Sequence, residues 1–291
     1  MAFPTETVYG LGGNARSDRS VARIFSTKNR PSFNPLIVHT LNAVAAQEFG
    51  FFNETARRLA DRFWPGPLTL VVPRKKEANL SLLALSGLDT VALRVPSHLV
   101  ARALLRAFKN PIVAPSANRS GHLSPTEAHH VETSLGEKAP LVLGGGPTDK
   151  GLESTIIQIT EEGPVLLRHG AISREEIEDF LGTPLKAQDV LDAINAPGQL
   201  KSHYSPHLPL RLNVLNPLPG EAFLAFGPTV HNATLNLSET SDLIEAAAHL
   251  FSFLHRVDHA HLFTGIAIAP IPMTGLGFAI NDRLERAAAP K

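Results

Sequence analysis

Through its first two-thirds the chain alternates short apolar β-rich runs with segments of helical period. A chain of that rhythm folds as an α/β domain around a twisted mixed sheet. "NPLIVHT", "PLTLVVP", "TVALRVP", "NPIVAPSAN", "PLVLGGG", "STIIQIT" and "PVLLRHG" read as strands. "SVARIFSTKNR", "NETARRLADRFW", "HLVARALLRAF", "SPTEAHHVETSLG" and "SREEIEDFLG" read as helices. Asn53 is expected to cap the second helix, which must stop before Pro65. Ser124 to Glu127 has the form of a capping box with proline at the first helical position.

The rhythm breaks at "NAPGQLKSHYSPHLPL", a proline-rich stretch without period that reads as an ordered linker. Beyond it "LRLNV", "AFLAFG", "ATLNL" and "TGIAIAPIP" are strand-like. A long helix is expected from about Ser241, and "NDRLERAA" ends the chain as a helix. The expected division is 1–190, a linker acting as a lid over 191–209, and a smaller α/β unit over 210–291.

Composition removes several chemistries. There is no cysteine, which excludes disulfides, cysteine-ligated zinc, iron–sulfur clusters and a cysteine nucleophile. Lys+Arg and Asp+Glu both number 27, so no global basic excess grips a long polyanion. No run is long and apolar enough to span a membrane and no secretory signal opens the chain, so a cytoplasmic protein is expected.

Chemistry-bearing side chains gather in five places: "FPTETVYGLGG" with Thr5, Thr7 and Tyr9; "KNRPSFNPLIVH" with Lys28, Arg30, Asn34 and His39; "TVALRVP" with Thr90 and Arg94; "APSANRSGHLSPTE" with Ser116, Asn118, Ser120 and Ser124; and "GGGPTDKGLESTIIQ", followed by Arg168. Lys28 and Arg30 also suit a helix C-terminus, and His39 suits a structural role in a strand. Arg94 is harder to explain locally. It sits in an apolar strand with no acid beside it in sequence, so a ligand carboxylate is a serious candidate partner. There is no Walker A spacing and no G-x-G-x-x-G after a strand. "HRVDHAH" looks superficially like a metal cluster, but a solvated helix end is the stronger reading.

In order and spacing, "PTETVYGLGGNA", "KNRPSFNPLIVH", "FWPGPLTLVV", "VALRVPSH", "APSANRSG", "GLESTII" and "LLRHGAIS" resemble the YrdC-type threonylcarbamoyl-AMP synthases. "PGQLKSHYSP" and "GLGFAINDRLERAA" resemble the two-domain form of that family. The resemblance implies a mixed sheet with helices around a concave basic pocket, and a small Rossmann-like C-terminal domain. It implies synthesis of threonylcarbamoyl-adenylate from L-threonine, bicarbonate or CO2 and ATP, with Mg2+ on the ATP phosphates and no organic cofactor. Hand-over to the tRNA threonylcarbamoyl-transferase machinery would follow, with tRNA contact a further implication. Carried over by position, Thr7, His39, Arg94, Ala114 and Ser154 would bind threonine. Lys28, Arg30, Asn34, Thr90, Ser116, Asn118, Ser124, Arg168 and Tyr204 would bind ATP, Lys28 and Arg30 also stabilising charge on the phosphates. Thr5 and Tyr9 would line the same pocket.

One departure is that family members usually carry a helix and the start of a strand before "FPTETVYG", where this sequence has Met1 and Ala2. That is expected to expose part of the pocket floor. Two rival readings remain: a non-catalytic or regulatory RNA-binding protein of the same fold, and a carbamoyltransferase of hydrogenase maturation. The retained basic residues and zero net charge weigh against the first, and the lack of cysteine-rich zinc motifs against the second.

Overall fold

The computed structural model describes residues 1–187, 203–228 and 232–290. Most of the expected 191–209 linker therefore lies outside the described residues; its end, from His203, lies within them.

A two-stranded hairpin, β1 (Ala2–Phe3) and β2 (Gly10–Leu11), opens the chain. The main sheet then collects β3 (Gly13–Asn14), β4 (Ile37–His39), β5 (Leu68–Pro73), β6 (Thr90–Arg94), β7 (Ile112–Val113), β8 (Thr155–Thr160), β9 (Gly163–Arg168) and β10 (Lys186–Ala187). Its order is β10-β9-β8-β5-β6-β4-β7-β3, with β4–β6, β5–β8 and β9–β10 parallel and the other pairs antiparallel. The helices are α1 (Asp18–Lys28), α2 (Ala43–Gln47), α3 (Glu54–Phe63), α4 (Leu82–Leu85), α5 (Leu99–Phe108), α6 (Ala128–Leu135) and α7 (Arg174–Leu181).

Strand alternation gives the sheet two different faces. Val38, Leu70, Leu93 and Ile157 point into the main core, where they meet Val21 and Ile24 of α1, Leu59 and Phe63 of α3 and Ile177 of α7. The intervening residues Ile37, Val71, Ala92, Ile156 and Leu167 form a smaller cluster on the opposite face. His39 and Arg94 are in register on that second face, two residues beyond Ile37 and Ala92.

Local chemistry sets the helix ends. Asn53 accepts from the Ala56 N–H, and α3 stops at Phe63, as its sequence requires. Asn29 adopts a left-handed conformation at φ 51, closing α1 and turning Lys28 and Arg30 onto different neighbours. Two expectations fail. "PLVLGGG" contributes only an isolated bridge from Val142 to Ala2, because the glycines that follow lie outside any ladder. The capping box does not form: α6 starts at Ala128 after Glu127, and the Ser124 hydroxyl is drawn to a distant carboxylate. The short helices α2 and α4 had no counterpart in the sequence reading.

The second unit holds a parallel four-stranded sheet, β11 (Leu210–Arg211), β12 (Glu221–Ala225), β13 (Leu235–Asn236) and β14 (Gly265–Ile268), in the order β11-β14-β12-β13. Helices α8 (Leu243–Asp258) and α9 (Gly277–Ala288) pack on it. Their apolar core is continuous with Val8, Leu123, Leu152 and Tyr204, so this unit is seated directly on the opening loop of the first. Among the described residues no helix is long and apolar enough to cross a membrane.

Candidate active site

The opening loop is held by its own hydroxyls. Thr5 Oγ1 donates to the Val8 carbonyl at 2.7 Å and lies 2.7 Å from Thr7 Oγ1, which leaves Thr7 as donor in that pair. Arg94 Nη1 then donates to Thr7 Oγ1 at 3.0 Å. A Cβ on Gly10 would stand 3.1 Å from that of Ala114, so glycine there permits the loop to approach the strand end closely. Thr5 and Thr7 are 2% and 0% exposed, so the expected opening of the pocket floor does not occur. Tyr9 is turned away, its hydroxyl donating to the Gly146 carbonyl at 2.8 Å.

Arg94 has an acid after all. Glu6 Oε1 accepts from its Nη2 at 2.6 Å, and the Gly66 carbonyl accepts from its Nε at 3.3 Å. Both ion-pair side chains are 5% exposed. The partner arrives from 88 residues away, which is why sequence proximity missed it. Burial raises the Glu6 carboxyl, but the Arg94 charge and hydrogen bonds outweigh it and hold the group below the usual range. Arg94 therefore does not need a ligand for want of an acid. What remains is a fixed guanidinium at the cavity wall with N–H groups beyond those three bonds.

Lys28 and Arg30 part company after α1. The Lys28 ammonium is buried and donates to the carbonyls of Ser116, at 2.7 Å, and Asn118. Burial, then Arg30, pushes its pKa well down. Arg30 donates to Asn34 Oδ1 at 2.6 Å and to the Pro35 carbonyl at 2.9 Å. Burial lowers it to about 9, which leaves it cationic at neutral pH. Asn34 Nδ2 is itself buried without a partner. Asn118 donates to the Arg119 and His122 carbonyls and so shapes its own loop.

Arg168, at the end of β9, donates from Nε and Nη2 to the Ser154 carbonyl at 3.1 and 2.8 Å. Ser154 Oγ pairs with Thr69 Oγ1 at 2.7 Å. His39 lies 3.2 Å from the Ile37 carbonyl through Nδ1, and burial, helped by Arg94, lowers its pKa to about 3, so the ring is neutral.

One cavity of about 50 Å³ joins these groups. Of the residues expected to bind threonine, Thr7, His39, Arg94, Ala114 and Ser154 all line it. Of those expected to bind ATP, Arg30, Ser116, Arg168 and Tyr204 line it. Lys28, Asn34, Asn118 and Ser124 stand behind the wall, each bonded to a wall residue or its loop. Thr90 shares the face of Arg94 but sits at the far end of β6, about 13 Å away at ~3.3 Å per residue.

Two family models match the sequence in tandem: the Sua5/YciO/YrdC model, described as telomere recombination, over residues 1–170, and the threonylcarbamoyl-AMP synthase C-terminal domain over 172–289. The chain is 39% identical to the threonylcarbamoyl-AMP synthase of Bacillus subtilis, covering 99% of this chain and 89% of that protein. It is also 39% identical to the synthase of Pyrococcus abyssi, covering 99% and 90%. The chain belongs to the threonylcarbamoyl-AMP synthase family. The crystal structure of P. abyssi Sua5 complexed with L-threonine superposes with a TM-score of 0.88 at 37% identity, over 99% of this chain and 89% of that one.

One side chain that joins the two units is absent from the sequence expectations. Arg283 of α9 is 1% exposed and donates from Nε to Glu153 Oε2 at 2.9 Å and from Nη2 to the His169 carbonyl at 2.8 Å. Its guanidinium lies 5.2 Å from the Tyr204 ring centroid. Glu153 Oε1 accepts from the Ser124 hydroxyl at 2.5 Å. Burial works against the charge of Glu153, but Arg283 and Arg168 hold its carboxyl down at about 2. In "GLEST" the serine lines the cavity, and the glutamate is the residue that both units share. Tyr204, at φ 61, closes the cavity beside His203, and burial raises its hydroxyl to about 12. A signal was available, because "NDRLER" places one arginine on the apolar stripe of the last helix.

Proposed function

We infer that this chain joins L-threonine, bicarbonate or CO2 and ATP into threonylcarbamoyl-adenylate with release of pyrophosphate, the first step of tRNA N6-threonylcarbamoyladenosine formation. The observation that carries this reading is the convergence, on one cavity, of Arg94 with Thr7 and of Arg30 with Arg168.

The chemistry asks for positioning more than for a protein nucleophile. The threonine amine adds to the carbon of CO2 and loses a proton, giving a carbamate; from bicarbonate, water also leaves. A carbamate oxygen then attacks the α-phosphorus of ATP as the bond to the pyrophosphate oxygen breaks. The spare N–H groups of Arg94, fixed by Glu6 and Thr7, are assigned to the threonine carboxylate. Neutral His39 and Ser154 contact the remainder of the amino acid, with Ala114 as a wall. Arg30 and Arg168 face the phosphates, where fixed cations stabilise developing charge without reorganising. Lys28 holds the Ser116 and Asn118 carbonyls in place beneath them, with Asn34 orienting Arg30. Ser124 acts through Glu153, and Thr90 belongs to the far end of an extended nucleotide.

Mg2+ enters as part of the ATP substrate. Glu153 is the one carboxylate among the described residues of the wall, and it is committed to Ser124 and Arg283, so the phosphates and water supply the ligands of the ion. Residues 1–190, 191–209 and 210–291 act as catalytic unit, lid and seating unit. Excluding water protects both the carbamate and the product anhydride, and a product so labile calls for hand-over to the transferase that acts on tRNA. The protein works in the cytoplasm.

The deciding experiment is pyrophosphate release from ATP and bicarbonate, with and without L-threonine, together with the mass of the nucleotide product. Threonine-dependent release and a threonylcarbamoyl-AMP mass are expected. Binding of both substrates without turnover would favour the regulatory reading instead.

A further inference from the structure

Outside the cavity, histidines crowd the joint between the two units. His130 stacks on His255 at 3.8 Å between centroids, and His255 Nε2 lies 3.1 Å from the Ser124 carbonyl, so His255 is held inside the joint. The next turn differs. α8 ends at Asp258 with His259 as its C-cap, and the chain that follows Tyr204 brings His207 against them.

We propose that His207, Asp258 and His259 bind a divalent transition-metal ion of the zinc class, tying the segment after the cavity wall to the end of α8. One donor atom of each residue lies within 4.8 Å of the other two. His207 Nδ1 already sits 2.8 Å from Asp258 Oδ2. Two further features set these residues up as ligands.

The first is the support behind two of the three donors. The Asp258 side chain is 1% exposed, and its carboxylate is aimed by the N–H groups of His207 and Leu208 at 2.8 to 3.0 Å. His259 Nδ1 lies 3.0 Å from the His255 carbonyl, which can only accept, so Nδ1 carries the proton and Nε2 keeps its lone pair. A backbone carbonyl behind the distal nitrogen is the usual support of a metal-binding imidazole.

The second is the disposition of the rings. The His207 and His259 planes are nearly perpendicular at 85°, with centroids 5.8 Å apart. Two imidazoles on one ion at ~2.0–2.1 Å per bond stand at about that separation. Both rings are exposed, so small rotations bring the donors to bonding distance without repacking, and an ion has open access. Two nitrogens and one oxygen select zinc, nickel or cobalt over magnesium, which favours oxygen donors, and water completes the coordination. The ion takes the place of the proton between His207 and Asp258, which leaves to solvent. This site is independent of the reading of the cavity, although His207 lies three residues beyond Tyr204 of the cavity wall.

The test is a calorimetric titration of the chelator-treated full chain with Zn2+, repeated with Mg2+, and with Co2+ followed by its visible spectrum. One equivalent of Zn2+ is expected to bind, with a Co2+ spectrum of low coordination number and no matching Mg2+ signal. His207→Gln and His259→Gln should each weaken Zn2+ by more than about tenfold, because losing a ligand costs at least as much as losing the group that supports one. His261→Asn, at an exposed position of φ 54, should leave it unchanged. Absence of Zn2+ binding, equal affinity in the His207 and His259 variants, or Mg2+ binding of the same strength would overturn the assignment. Asp258 is left intact because its carboxylate also holds the backbone of the linker.

Discussion

Arg283 Nε and Glu153 Oε2 meet at 2.9 Å with both side chains almost wholly buried, and through this contact the last helix backs a residue of the cavity wall. Ser124 completes the carboxylate and Tyr204 lies beneath the guanidinium, so four segments distant in sequence depend on one ion pair.

Replacing Arg283 with Met removes the cation and leaves Glu153 charged in a dry site. Breaking one side of a buried pair costs about 3–5 kcal/mol. Urea unfolding should register that loss, and ATP affinity should fall with it. Glu153→Gln in the same chain should restore much of the stability. A double variant no more stable than the single would show that the pair is not the source.

Arg94→Ala should raise the threonine concentration needed for half-maximal pyrophosphate release by about 10–100-fold, the loss of a charge-assisted pair at ~1.5–3 kcal/mol. ATP binding should change far less. Because the substitution also strands Glu6, Glu6→Gln with Arg94→Met serves as the control. It should regain thermal stability and still fail with threonine. Unchanged threonine dependence would remove Arg94 from the amino-acid site.

Acid should destabilise the fold in two stages. Burial holds His39 and His203 at about 3, His255 at about 4 and His130 at about 2, against an ordinary 6.5. The unfolded chain therefore takes up protons that the folded chain refuses as pH drops below 6.5. Each such histidine removes about 1.4 kcal/mol per pH unit until its folded value is reached. Glu153, ordinarily at 4.5 and here at about 2, contributes stability above 4.5 that is lost as pH falls towards 2. Unfolding free energies at pH 7.5, 6.0 and 5.0 should decline steeply. A flat profile would mean these rings are solvated.

Gly151 has φ +67, and a Cβ there would stand 2.3 Å from the Ala247 carbonyl of α8. Gly151→Ala should therefore unseat the second unit while sparing the core of the first. Limited proteolysis should cut the linker faster than in the parent chain, while helices α1 and α3 keep their hydrogen-exchange protection. Equal cleavage rates would show that the contact yields without cost.

Much of this was legible beforehand because it is local. Asn53 caps its helix by its own side chain, and the apolar runs around His39 and Arg94 form the strands expected of them. What stayed hidden is long-range pairing. Glu6 finds Arg94 across 88 positions, and Ser124 abandons a plausible cap because Glu153 accepts its hydroxyl more deeply in the structure. Tyr9 shows the same limit, since an aromatic beside two pocket threonines serves the glycine loop instead. The family resemblance pointed to positions that periodicity does not reach, such as Ser154, which lines the cavity, but it did not single out Arg283.

The cavity of about 50 Å³ has room for a few water molecules at ~10–15 Å³ each. If its walls part to admit the substrates, the free energy of parting falls on whichever arrives first, and the second finds the door already ajar. Threonine and ATP would then be allies in equilibrium binding, each raising the apparent affinity for the other by the same factor.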